Sequence, residues 1–214
     1  REEYMELCGT GIWKLLLGAV YKMVIAAGAY KVMGYFDTGT AWYHWVGYAY
    51  AYGIYLFFDF AGYSLMAVGS SYMLGIETPE NFRQPFISRD IREFWDRWHI
   101  TLSHWFRDFI FTRFVMYSSK KKWFSTRLQR ACAGFFVDMG IMGLWHGITP
   151  SYILYGLYHG LLLAATETYQ KKSKFYKKHK NKTWYQVVSW AVTMQLVFFG
   201  FFLFSGKLME LVGF

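Results

Sequence analysis

Proline is almost missing from this sequence of 214 residues: Pro79, Pro85 and Pro150 are the only three. Helices can therefore run long, and the places where they are forced to stop are few enough to name. Cysteine is scarcer still. Cys8 and Cys132 stand alone, without the paired spacing of a metal site, a redox motif or a disulfide framework. Charged residues are only 17% of the chain against 55% hydrophobic and 23% aromatic, a balance that argues against a solvated globular domain. Several catalytic signatures are absent as well. There is no serine or cysteine in a nucleophile elbow, no H-E-x-x-H metal motif and no phosphate-cradling G-x-x-x-x-G-K-[ST] run. No signal peptide is recognisable, and the chain opens on Arg1-Glu2-Glu3 without a starting methionine, so it reads as a piece of a longer protein.

What is present points to a bilayer. The mean hydropathy of +0.14 is low for a chain that crosses a membrane several times. The 18 tyrosines and 10 tryptophans account for part of this, because such scales score them as mildly polar although they favour membrane interfaces. The formal net charge of +9 is concentrated in two runs. Lys120, Lys121, Lys122, Arg127 and Arg130 form one, and Lys171, Lys172, Lys174, Lys177, Lys178, Lys180 and Lys182 form the other. A basic chain invites a nucleic-acid reading. Here both runs lie between apolar segments, where lysines mark the cytoplasmic side of a membrane. Residues 119–130 and 167–183 are accordingly read as cytoplasmic loops, and nucleic acid is set aside.

In chain order, Gly9 to Gly34 is apolar but interrupted by Lys14, Lys22 and Lys31. It is read as an amphipathic helix or as a span with one face against protein. Ala41 to Gly75 exceeds the roughly 20 residues that cross a bilayer. It is expected to span and then continue as a second, broken or re-entrant helix, with Asp59 near its middle facing protein or water. Glu77-Thr78-Pro79 ends it. Ala131 to Thr149 and Tyr152 to Thr166 form a hairpin around Pro150-Ser151, which puts both basic runs on one side. Trp184 to Gly206 is a span without a formal charge.

The stretch from Asn81 to Phe111 organises the rest. On a helix, Phe94, Trp95, Trp98, Leu102, Trp105, Phe106 and Phe109 share one face, while Glu93, Asp96, Arg97, Ser103, His104, Arg107 and Asp108 share the other. His99 lies at the boundary. So much aromatic surface beside so much charge suits a membrane interface or a polar cavity within a membrane protein. The hairpin repeats itself: Gly143 to Gly147 reads GLWHG, and Gly156 to Gly160 reads GLYHG. Each is a G-x-x-x-G frame for close helix packing, with a histidine before its second glycine. Histidine is the side chain best suited to proton transfer near neutral pH. Embedded histidines without a nucleophile fit direct transfer, in which one imidazole deprotonates an incoming hydroxyl that attacks an activated acyl group. A transporter or channel, or a non-catalytic membrane scaffold, remains open at this level.

FDFAGYSLMAVG (Phe58 to Gly69), PENFRQPFIS (Pro79 to Ser88), EFWDRWHITLSHWFRDFIF and GLWHG…YGLYHG, in that order, resemble the bacterial membrane-bound O-acyltransferases. The resemblance implies an all-α polytopic membrane protein of tilted and re-entrant helices around a funnel. Residues 1–214 would be a single membrane-embedded region, the C-terminal half of a longer chain. It implies His146 as the catalytic base and His99 as its usual active-site partner. Asp59, Arg97, Arg107, Asp108 and Asp138 are in addition expected to hold the cavity together as buried ion pairs, with His159 as structural support. No tightly bound cofactor and no metal are implied.

The alginate-type acetyltransferases of that family share FWDRWHITLS but follow it with a Pro-Leu-Gly-Gly-Asn-Arg run, where Thr112 to Tyr117 here reads TRFVMY. That departure and MLGIETPEN (Met73 to Asn81) resemble the branch that D-alanylates teichoic acids in Gram-positive cell membranes. This branch implies a D-alanyl thioester on the phosphopantetheine arm of a carrier protein as donor, a teichoic acid or a small membrane partner as acceptor, and a carrier-docking patch. Arg113, Phe114, Val115, Met116, Lys120, Lys121 and Lys122 suit that patch.

Overall fold

In the computed structural model, which describes residues 2–39 and 41–213, the chain divides into two compact units, Arg1–Arg83 and Gln84–Phe214. Helices dominate both.

In the first unit, α1 (Glu2–Val20) passes through a π-helical segment (Tyr21–Ala26) into α2 (Ala27–Asp37), and α3 (Trp42–Met73) packs along them. Glycines set the spacing. A Cβ on Gly18 would lie 2.6 Å from the Gly62 carbonyl oxygen, and one on Gly11 would lie 2.7 Å from that of Gly69. These two contacts, one heptad apart on each helix, bring the backbones together as small residues do in membranes. The lysines that interrupt the first apolar stretch have acidic partners: Lys14 pairs with Glu80, and Lys22 pairs with Asp59. A charge bonded to its opposite is far cheaper at low polarity than one left alone. Asp59 is therefore a partner of Lys22 within this unit.

The break expected after the first crossing of Ala41 to Gly75 is not there. α3 is one unbroken helix of 32 residues, about 48 Å long. Its glycines Gly62 and Gly69 serve the approach of α1 and do not turn the chain.

The second unit begins with a 3-10 turn (Pro85–Ile87) and α4 (Ile91–Trp95), whose Asp90 carboxylate caps the Glu93 amide at 2.9 Å. The single aromatic helix expected through this stretch is also not there. α4 stops at Trp95, the chain turns through residues 96–99, and α5 (Ile100–Phe106) starts afresh. A π-helical turn (Arg107–Phe111) leads into α6 (Thr112–Lys120). The hairpin then forms from α7 (Arg127–His146), opened by a Thr126–Gln129 capping box, and α8 (Pro150–Lys172), which has proline in its first turn. A short α9 (Lys174–His179) precedes α10 (Thr183–Phe204) and α11 (Lys207–Leu211).

Phe94, Phe106, Met142, Val197 and Phe201 are sealed in the core of this unit. Tyr158 of α8 donates to the Leu196 carbonyl at 3.0 Å, and Trp190 of α10 donates to that of Phe86 at 2.8 Å. Among the described residues, three helical stretches are long and apolar enough to cross a membrane: Glu2–Asp37, Trp42–Met73 and Thr183–Phe204. The α7–α8 hairpin has the length of a crossing but more polar residues. It carries the histidines.

Candidate active site

The turn at His99 is set by tryptophan. Trp98 is buried, stacked on Phe94 at 5.5 Å between ring centroids and 5.0 Å from Phe201. With Trp98 held inward, its carbonyl accepts from the Ser103 hydroxyl at 2.9 Å, and His99 takes a left-handed backbone conformation (φ 45°, ψ 54°). Such a conformation costs about 1–3 kcal/mol for a non-glycine residue and collects at functional sites. His99 lies in this turn, outside the spanning helices. Burial first, and nearby His146 second, push its imidazole down to about 4, so it is neutral near pH 7.

His146 is the last residue of α7. Gly147 follows at φ 150° and ψ 159°, a conformation essentially confined to glycine, and ends the helix there. The second glycine of GLWHG is thus a terminator. The packing glycines of the hairpin are Gly143, Gly156 and Gly160: a Cβ on Gly156 would lie 3.1 Å from the Gly143 Cα, and one on Gly160 would lie 3.1 Å from the Phe136 Cα. Aromatic rings surround the His146 imidazole, with Trp145 at 4.8 Å, Phe204 at 4.9 Å, Tyr152 at 5.8 Å and Tyr155 at 6.4 Å.

His159 differs from both. It is sealed inside, and its Nδ1 accepts from the Trp95 indole at 3.3 Å. Nδ1 as acceptor leaves the proton on Nε2. That nitrogen has no hydrogen-bond partner among the described residues and is closed off by Gly200, where a Cβ would lie 2.6 Å away. His159 also meets Tyr155 at 4.6 Å between centroids, so it supports the ring beside His146 from behind.

A cavity of about 570 Å³ opens beside the hairpin toward its basic end. Arg92, Arg107, Arg127 and Lys171 supply positive charge to its wall, and Asp96, Asp138 and Glu167 supply negative. Asp138 is buried with its Oδ1 unpartnered among the described residues. Glu167, also buried, takes Arg92 and Lys171 at once. Trp95 lines this cavity and also touches His159, which links the cavity wall to the ring cluster around His146.

The other site residues named from sequence separate. Arg97 pairs with Glu93 at 2.8 Å. Asp108 is 63% exposed against Arg107, because the π-helical turn swings it outward, and it is not part of the cavity wall. In the α6 patch, Arg113, Met116 and Lys120, Lys121 and Lys122 are exposed. Phe114 leans on Trp123 at 6.2 Å, and Val115 faces Gly134 and the cavity. Sequence reasoning passed over Glu167 as a site residue. Its signal was there, as the one acid within an otherwise basic run.

The state of His99 has a measurable consequence. Between about pH 4 and 6.5 the unfolded chain binds a proton at His99 that the native chain does not, so stability should rise with pH through that window and be level for this group above it. Thermal unfolding in detergent should show part of this slope removed in His99→Gln. An unchanged slope would mean that His99 is not held neutral.

Residues 3–209 match the membrane-bound O-acyltransferase family. The chain is 44% identical over 213 residues to a teichoic acid D-alanyltransferase of Bacillus subtilis, covering 97% of this chain and 53% of that protein. It is 41% identical over 224 residues to one of Lacticaseibacillus rhamnosus, covering 98% and 55%. It is 38% identical over 176 residues to a probable alginate O-acetylase of Pseudomonas syringae, covering 82% and 30%. The chain spans about half the length of the teichoic acid relatives it matches.

Proposed function

This chain belongs to the membrane-bound O-acyltransferase family, and on that footing we propose that the full-length protein moves a D-alanyl group from a carrier-protein thioester to an extracytoplasmic hydroxyl of a teichoic acid or a membrane intermediate. The observation that carries the reading is that His146, at a glycine-terminated helix end, acts electrostatically on a half-buried His99 in a left-handed turn. In the reaction, His146 accepts the proton of the acceptor hydroxyl while its oxygen attacks the thioester carbonyl. The tetrahedral intermediate collapses with cleavage of the carbon–sulfur bond, and the proton passes from His146 to the departing thiolate. Product ester and free carrier thiol balance the step. His99, neutral and adjacent, orients His146 or the hydroxyl.

The donor arm would be a phosphopantetheine with a phosphate near its attachment point. Of the cavity's four cations, Arg92 and Lys171 are held by Glu167 and Arg107 by Asp96 and Asp108, which leaves Arg127 with the charge to receive it. Arg113, Met116 and the Lys120–Lys122 run offer an exposed basic and apolar face for an acidic carrier, on the side read as cytoplasmic. The names and identities of the D-alanyltransferase relatives support D-alanine over acetate.

Membranes containing the full-length protein would be given carrier charged with radiolabelled D-alanine or, separately, an acetyl donor. Transfer from the D-alanyl carrier alone is expected. In Met116→Asp the KM for carrier should rise about tenfold or more while kcat holds, because docking is weakened and chemistry is not. Transfer from the acetyl donor only would move the protein to polysaccharide acetylation.

A further inference from the structure

A second groove, of about 670 Å³, lies where α8, α9 and the start of α10 meet the turn before α4, and the acyl-transfer reading makes no use of it. Its two ends differ in chemistry. Along one, Val188, Val192 and Leu196 of α10 line up at intervals of four residues, an apolar stripe running into the part of the helix fit to lie in a bilayer. Around the other are Arg89, Lys180 and a tyrosine cluster. Tyr185 donates to the Tyr169 hydroxyl at 3.3 Å, Tyr176 lies 6.2 Å from Tyr185 between centroids, and the Lys180 ammonium stands 5.9 Å from the centre of the Tyr176 ring. Tyrosines at the base of a spanning helix mark the level of lipid headgroups.

The charge at that end is decided by which groups are already committed. Asp90 and Glu93 also line the groove: Glu93 is offset by the Arg97 guanidinium, whereas the donors to Asp90 are neutral amides and leave its charge in place. Asp90 caps the Glu93 amide and accepts from Gln170 at 2.9 Å, while Glu93 holds the Arg97 guanidinium and the Arg89 amide. Neither the Arg89 nor the Lys180 side chain has an ion-pair partner among the described residues. Arg89 and Lys180 thus face the groove against the one unneutralised carboxylate of Asp90, which leaves this end positive, with Lys177, Lys178 and Lys182 close by in sequence. A cationic, tyrosine-lined head with a straight apolar tail on a spanning helix has the shape and charge of a phospholipid turned to the basic side of the membrane.

We propose that this groove holds one anionic phospholipid of the bilayer, its headgroup phosphate between Arg89 and Lys180 and an acyl chain along Val188, Val192 and Leu196.

The full-length protein, delipidated in detergent, would be titrated with phosphatidylglycerol or phosphatidylcholine, with bound lipid counted by native mass spectrometry. One phosphatidylglycerol per chain is expected to bind at least tenfold more tightly than phosphatidylcholine. The Arg89→Gln/Lys180→Gln double variant should lose that preference, and Val192→Phe, which fills the tail path and keeps both charges, should weaken binding of either lipid. Equal binding of the two lipids by the wild type would overturn the proposal without recourse to any variant. So would a preference unchanged in the double variant, or displacement of the lipid by millimolar inorganic phosphate, which would mark a soluble anion site.

Discussion

Alanine in place of His146 should lower D-alanyl transfer by the full-length protein about 10²–10⁴-fold, the range that a positioned general base contributes. The loss should fall on kcat and leave the KM for the carrier near its wild-type value, because His146 sits at the far end of α7 from the basic patch proposed for docking. Folding should survive the change. The imidazole is only half-buried, at an open helix end, and Gly147 ends the helix by its backbone alone. Melting temperature and carrier binding therefore serve as controls in the same preparation. His99→Ala should also reduce transfer, but for a different reason, since a neutral, half-buried imidazole in a turn orients its neighbour or the hydroxyl. Full transfer by His146→Ala would remove it from the chemistry and make His99 the base. Full transfer by both single variants would remove the histidine mechanism altogether.

How far the site could be read from sequence depended on whether a residue type marks the backbone event. The hairpin was legible because Pro150 opens α8, glycines line the contact, and a basic run stands beyond each outer end. His146 was legible because GLWHG combines a histidine with a helix-ending glycine, although both frames had been read as packing motifs and only Gly143, Gly156 and Gly160 pack. The turn at His99 was not legible. Phe94, Trp95, Trp98, Leu102 and Trp105 keep helical spacing straight across it, and no glycine or proline signals the break. The break comes from Trp98 seating against Phe94 and Phe201, and Phe201 is about a hundred residues away. The same limit explains α3, whose length suggested an interruption, while the role of its glycines, admitting α1, depends on a partner helix that local sequence cannot show. Asp108 was expected in the cavity as a buried ion-pair partner, yet it is exposed beside Arg107. The π-helical turn at Arg107–Phe111 swings it outward.

The contact between Gly143 and Gly156 leads to the second large effect. Gly156→Ala should destabilise the protein by about 1–3 kcal/mol, the usual cost of overpacking a filled interior. The new methyl would fall inside contact distance of the Met139 carbonyl oxygen and 3.1 Å from the Gly143 Cα, both parts of the α7 backbone. No side chain can rotate away, so α7 and α8 must separate. Gly143 lies less than one turn before His146, so that separation carries the imidazole with it, and transfer should fall further than the loss of folded protein alone explains. Gly140→Ala on the same helix is the matched control. Its Cβ meets nothing within 4 Å, and a helical glycine replaced by alanine in open space should gain about 0.5–1 kcal/mol. Thermal unfolding in detergent, paired with transfer assays normalised to folded protein, reads both effects at once. Opposite shifts in melting temperature, with specific activity lost only in Gly156→Ala, would tie the position of the base to the spacing of the hairpin. Equal, small shifts would mean that the two helices can adjust and that His146 is held by its ring of Trp145, Tyr152 and Phe204 instead.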